Sequence, residues 1–196
     1  VLLSPASAAI STGLVLEGTA GHTQQQLLTL LGAENGDRYA DGCRALQSVL
    51  TGNPRGYFQL ANSMWVRNEL EAAVLPDFIE RNETYYGALL KAAPFDDTLI
   101  PLLNAWVSEN TGGRIDKLME PPLDSDLAML LGNALSFEGK WKEAFPKENT
   151  RDGLFHASSG DLTLPMMTRT KEGLLYKGDG VAAALLPYQD DRTAML

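Results

Sequence analysis

Eleven consecutive residues, 127–137 (LAMLLGNALSF), are apolar on both sides of any strand they could form. With the two-residue period of a strand, Leu127, Met129, Leu131, Asn133, Leu135 and Phe137 share one face, and Ala128, Leu130, Gly132, Ala134 and Ser136 share the other. A strand with one wet face would alternate. This run does not, so it predicts a central strand covered on each side. Asn133 is the exception on its face. A buried amide without a partner costs about 1–3 kcal/mol, so a polar neighbour is required. Ser4, Ser7, Ser11 and Thr12 are the candidates, and the pairing is either a static bond or a polar latch that opens and closes.

The chain ahead of this strand is mainly helical. Ser4-Pro5 is a cap followed by a first-turn proline, and residues 6–16 are rich in Ala, Ser and Gly, which predicts a buried helix that another backbone approaches closely. A second helix is capped at Thr23 and stopped at Gly32, and a third spans 38–50. Phe58, Leu60 and Trp65-Val66 read as a strand ahead of a turn at 67–69. Pro76 opens a helix, 89–95 is a short strand, and Leu99, Leu102, Leu103 and Trp106 have helical spacing up to Thr111-Gly112-Gly113. Pro121-Pro122 reads as a rigid loop. From Thr150 onward short strands recur at 162–167, 173–176, 181–186 and 193–196, and 1–3 reads as the end of another. Helices first and strands later predict an α+β fold, with helices packed on a large central sheet.

Several functions are disfavoured. Lys and Arg number 16 against 25 Asp and Glu, a net charge of −9, and the basic residues are scattered (Arg38, Arg55, Arg67, Lys91, Lys117), so nucleic acid is not an expected partner. No apolar run reaches the roughly 18 residues of a membrane-spanning helix. There is no phosphate-binding glycine loop, no G-x-S-x-G elbow and no H-E-x-x-H. His156 lies near Ser158 and Ser159, but no carboxylate is evident to orient its ring. The pairs Asp96-Asp97 and Asp124-x-Asp126 lack the further ligands of a cation loop, so no metal is expected. The single cysteine, Cys43, excludes an intrachain disulfide and fits either a reducing or an oxidising compartment. The sequon Asn82-Glu83-Thr84 reads as a chance occurrence. Val1 is not a start methionine and 194–196 is an apolar stop, so both ends are expected to be cut.

The ordered motifs resemble the serpin family. Ser4-Pro5-x-Ser7 followed by Gly21-x-Thr23-x-x-Gln26 is similar to its second helix and the turn into the third. Ala61-Asn62-Ser63-Met64-Trp65-Val66 is similar to strand two of its large sheet, and Asn104-x-Trp106-Val107 with Thr111-x-Gly113-x-Ile115 to its helix F and exit. Leu131-x-Asn133-Ala134-x-x-Phe137-x-Gly139-x-Trp141-x-x-x-Phe145 resembles strand three and the stretch beyond it. Thr150, Phe155, Pro165-Met166-Met167 and Leu186-Pro187-Tyr188 continue in family order. Glu138 and Ser136 depart from the usual basic and aromatic residues.

The resemblance implies that 1–196 is part of a single serpin domain, lacking the first helix and the C-terminal part with the reactive loop. Ser4, Ser7 and Asn133 match the shutter, the polar gate beneath the sheet, and Trp141 matches the breach, where insertion begins. The implied function is serine protease inhibition as a suicide substrate: the cleaved reactive loop enters the sheet as an extra strand. The alternative is a non-inhibitory serpin acting as carrier, chaperone or storage protein, and an enzyme using His156 or the aspartates ranks far below both. The reactive bond lies outside this chain. The implied partner is a serine or cysteine protease met by a monomer. No catalytic residue and no cofactor are implied, and the acidic charge disfavours a heparin-like polyanion. An extracellular location is implied, with an intracellular one left open.

Overall fold

Ser4 starts the first helix as its chemistry predicts: in a computed structural model its Oγ accepts the Ser7 N–H at 3.2 Å, and Pro5 opens α1 (Pro5–Leu16). The structure describes residues 3–52, 57–124, 126–170 and 173–196, so most of the strand expected at 1–3 lies outside the described residues. The small residues of α1 serve the predicted purpose at Gly13, where an added Cβ would stand 2.6 Å from the Tyr86 hydroxyl. α2 (Gly21–Leu30) begins earlier than its sequence suggested, with Ala20 rather than Thr23 at the cap position and no side chain capping it. α3 (Gly36–Thr51) also starts early. Asn35 accepts the N–H groups of Asp37 and Arg38 at 2.8 and 3.1 Å, so it captures two donors that a start at Arg38 would waste.

β1 (Phe58–Arg67) leads through a short 3-10 turn (Asn68–Ala73) to α4 (Pro76–Tyr86), β2 (Leu89–Ala93) and α5 (Leu99–Asn110). A loop holding Pro121-Pro122, joined by a cis peptide bond, then leads to β3 (Met129–Phe137). The strands form one sheet in the order β2-β1-β3. β1 pairs in parallel with β2, from Ser63↔Leu89 to Arg67↔Ala93, and antiparallel with β3, from Phe58↔Phe137 to Val66↔Met129.

Both faces of the sheet are covered, which is why 127–137 is apolar on two sides. On one face Met64 packs with Ile10 and Leu14 of α1, Ala40 and Cys43 of α3, and Tyr86 of α4, with Leu131 at the margin. On the other, Trp65 and Ala134 pack with Leu99, Leu103, Trp106 and Val107 of α5. Laterally, β1 is the middle strand and β3 ends the row among the described residues. Hydropathy reports covered faces. It says nothing of which strand edges are paired.

The chain divides into two compact units, Val1–Phe137 and Glu138–Leu196. The second is made of hairpins: β4 (Arg151–Ala157) with β5 (Gly160–Met166), β6 (Leu175–Gly178) with β7 (Val181–Ala184), and the short pair β8 (Leu186–Pro187) with β9 (Ala194–Met195). β4 was not legible as a strand. Arg151, Asp152, Gly153 and His156 surround Leu154-Phe155 without a period-two pattern, and pairing with β5 extends it. Among the described residues, no helix is long and apolar enough to cross a membrane.

Candidate functional site

Asn133 and Asn62 stand directly opposite one another on β3 and β1, both facing the α1, α3 and α4 layer. Asn133 Nδ2 donates to Asn62 Oδ1 at 2.7 Å. Asn62 Nδ2 in turn donates to the Tyr86 carbonyl at 2.7 Å and to Gln47 Oε1 at 3.0 Å. Gln47 Nε2 reaches the Tyr85 carbonyl at 2.8 Å and the Cys43 carbonyl at 3.3 Å. An amide ladder therefore runs from β3 through β1 into α3 and the end of α4. Asn133 Oδ1 is buried and has no hydrogen-bond partner among the described residues.

The expected partners of Asn133 are thus replaced by one on the neighbouring strand. Ser4 and Ser7 bond each other at 3.0 Å at the start of α1, and Thr12 Oγ1 donates to the Ala8 carbonyl at 2.8 Å. Short hydroxyl side chains on a helix find their own backbone or cap first. Ser4 is exposed and Ser7 half-buried, on the helix that packs against β3. Asn62 was detectable: it interrupts the face Leu60-x-Asn62-x-Met64 just as Asn133 interrupts its own. Gln47 was not, because a glutamine on an amphipathic helix looks like any solvent-facing polar residue.

The opposite face is tightly closed. Trp65 Nε1 donates to Ser63 Oγ at 2.9 Å, and Trp106 of α5 lies against Gly132 of β3. Asn104 holds the exit from α5 in place, its Oδ1 accepting the N–H groups of Leu118 and Met119 at 2.7 and 3.0 Å. Thr111 Oγ1 donates to the Val107 carbonyl at 2.7 Å and accepts the Ile115 N–H at 3.1 Å. Beneath α1, the Glu17 carboxylate is 4% exposed and pairs with Arg81, which also bonds Asp37 at 2.8 Å. These acidic partners, Glu17 foremost, push the guanidinium pKa up. Tyr86 donates to Glu17 at 3.3 Å, and burial pushes its phenol up.

Trp141 belongs to the second unit. Its ring stacks on Tyr188 at 4.6 Å with 10° between planes, and Phe145 meets it edge-on at 5.9 Å. Backbone bonds from Lys142 to Pro187 and from Gln189 to Lys140, at 2.9 and 2.8 Å, hold the stack.

The residues singled out for catalysis or metals take structural places. His156 does have an orienting carboxylate, contrary to expectation: Asp161 faces it across the β4–β5 hairpin at 2.7 Å, a partner sequence distance concealed. Both side chains are exposed, and neither Ser158 nor Ser159 is hydrogen-bonded to the ring. Asp96 accepts from Thr98, Asp97 from the Leu123 N–H and Asp124 from the Asp126 N–H, so these carboxylates brace turns. Among the described residues, no group of three His, Cys, Asp or Glu is placed to hold a metal. Asn82 of the sequon is fully buried, its amide bonded to the Phe78 carbonyl at 3.0 Å. Cys43 is buried, which pushes its thiol pKa up.

A family model described as Serpin (serine protease inhibitor) matches residues 1–196. The chain belongs to the serpin family. Serpin-ZX of Arabidopsis thaliana is 30% identical over 98% of this serpin chain and 52% of its own length. Human neuroserpin is 27% identical, over 100% of this chain and 51% of its own. The chain therefore spans about half the length of the curated relatives it matches. Among solved structures, Arabidopsis AtSerpin1 in its native stressed conformation matches with a TM-score of 0.88 at 30% identity, covering 99% of this chain and 52% of that one. Emu ovalbumin has a TM-score of 0.86 at 20% identity over 100% of this chain and 56% of its own, and shows the shared fold alone. The expected α+β serpin architecture is what these serpin residues adopt.

Proposed function

We propose that this serpin chain is part of a single inhibitory domain, which in the intact protein traps a serine protease as a suicide substrate. The protease attacks an exposed loop and forms an acyl bond, and the cleaved loop then enters the large sheet as an added strand. Insertion forms a new ladder of backbone hydrogen bonds and buries apolar side chains. The observation that carries this reading is the state of β3. On a face otherwise made of apolar residues it carries the amide of Asn133, bonded across to Asn62 of β1, a polar link where an apolar core would stay shut. Asn133 is the polar gate in this reading, with Ser4 and Ser7 at the head of the helix beneath it and Trp141 at the point where insertion begins.

Incubating the intact protein with a panel of serine and cysteine proteases tests the proposal. An inhibitor gives a denaturant-resistant covalent complex with at least one of them. Cleavage of the loop with release of active protease instead favours the carrier, chaperone or storage reading. Asn133→Ala in the same protein removes one hydrogen bond from the closed sheet. Spontaneous conversion to an inserted or polymeric form on mild heating should then accelerate about fivefold, as expected for a bond of about 1 kcal/mol. An unchanged rate removes Asn133 from the gate.

A further inference from the structure

An amide side chain can face either way round, and in a relay the orientation of one member dictates the next. Gln47 sits between two backbone carbonyls, those of Tyr85 at 2.8 Å and Cys43 at 3.3 Å. Carbonyls only accept, so Gln47 must turn Nε2 toward them and Oε1 away. Asn62 then meets two acceptors, Gln47 Oε1 at 3.0 Å and the Tyr86 carbonyl at 2.7 Å, and its Nδ2 serves both. Its Oδ1 is left facing β3, where it can receive only a donor. Asn133 supplies that donor through Nδ2 at 2.7 Å, and its own Oδ1 is turned away from Asn62, without a partner among the described residues. Every orientation descends from three carbonyls on α3 and the end of α4 that cannot be reversed.

We infer that Gln47 and Asn62 are positioning residues that hold Asn133 with its NH2 turned toward β1 and its carbonyl oxygen turned away from it. The α3–α4 layer thereby fixes the hydrogen-bonding character of a strand it does not pair with. That this matters for strand insertion rests on the gate reading above, whereas the coupling itself does not. A purely structural Gln47, fastening α3 to α4 through the Tyr85 carbonyl, would leave Asn133 indifferent to its loss.

Side-chain amide NMR on the full chain separates the two. In the unsubstituted protein, the Asn133 Nδ2 protons should exchange slowly and show contacts to Asn62, and those of Gln47 should show contacts to Tyr85. Gln47→Met keeps size and helix propensity but removes the acceptor that Asn62 faces. Asn133 side-chain exchange should then rise about threefold, and about tenfold in Asn62→Val, where its acceptor is gone. Arg38→Ala, an exposed site on the same helix whose side chain pairs with Glu34, should change neither. Unaltered Asn133 exchange in folded Gln47→Met overturns the inference. So does an unsubstituted spectrum in which the Asn133 amide protons contact something other than Asn62, a result that decides the matter even if the variant does not fold. These spectra involve no protease, so a failure of inhibition would leave them standing, and the reverse also holds.

Discussion

Adding one methyl group at Gly132 should weaken the sheet even though alanine is the better residue for a strand. An alanine Cβ there would stand 2.7 Å from Ser63 Oγ and 3.2 and 3.3 Å from two carbons of the Trp106 ring. Neither neighbour can retreat: Ser63 Oγ holds the indole N–H of Trp65 at 2.9 Å, and Trp106 is wedged in the α5 cluster at 8% exposure. Overpacking of this kind costs about 1–3 kcal/mol. The lower entropy of an unfolded alanine offsets about 0.5–1 kcal/mol of that. Gly132→Ala should therefore destabilise by about 1–2 kcal/mol, read as a lower urea midpoint at unchanged slope and a fall in Tm of about 2–4 °C per kcal/mol. Ser63→Ala removes the nearest atom but strands the buried Trp65 N–H, at about 1–3 kcal/mol. Because the methyl can then occupy the vacated space, the double variant should cost about 1 kcal/mol less than the sum of the two. A neutral or stabilising Gly132→Ala, or additivity within about 0.5 kcal/mol, would refute the close contact of α5, β1 and β3.

Two further outcomes are expected of the first unit. Arg81→Met should cost about 2–4 kcal/mol in urea unfolding, because it leaves the Glu17 carboxylate buried with only the Tyr86 hydroxyl beside it. In the unsubstituted chain, burial raises the folded-state pKa of Cys43 above its ordinary 9.0 and of Tyr39 and Tyr86 above 10.0. Groups that hold their protons more tightly when folded contribute stability below their unfolded pKa and lose it above. Thermal stability should decline as pH rises past about 9–10, and Tyr86→Phe should flatten that decline.

The family and the layering were legible because they depend on local patterns that tertiary packing does not override. Ser4-Pro5 caps a helix wherever it lies, and apolar residues on both faces of 127–137 require cover on both, which α1 and α5 provide. Even the need for a partner at Asn133 followed from the cost of an unpaired amide. Which atom meets that need did not. Ser4 caps the helix that packs on β3, and Ser7 and Thr12 lie within it, yet their hydroxyls close on one another and on the Ala8 carbonyl. Asn62 and Gln47, 71 and 86 residues from Asn133, take the role instead because β1 pairs in register and α3 lies over it. His156 and Asp161 find each other in the same way, through a hairpin register. Sequence alone determined which residues must be covered and which must be paired, because burial and capping are set by each residue's own chemistry. The tertiary structure decided which groups meet and which way each amide faces, because hydrogen-bond direction depends on carbonyls fixed only when α3, α4 and the sheet come together.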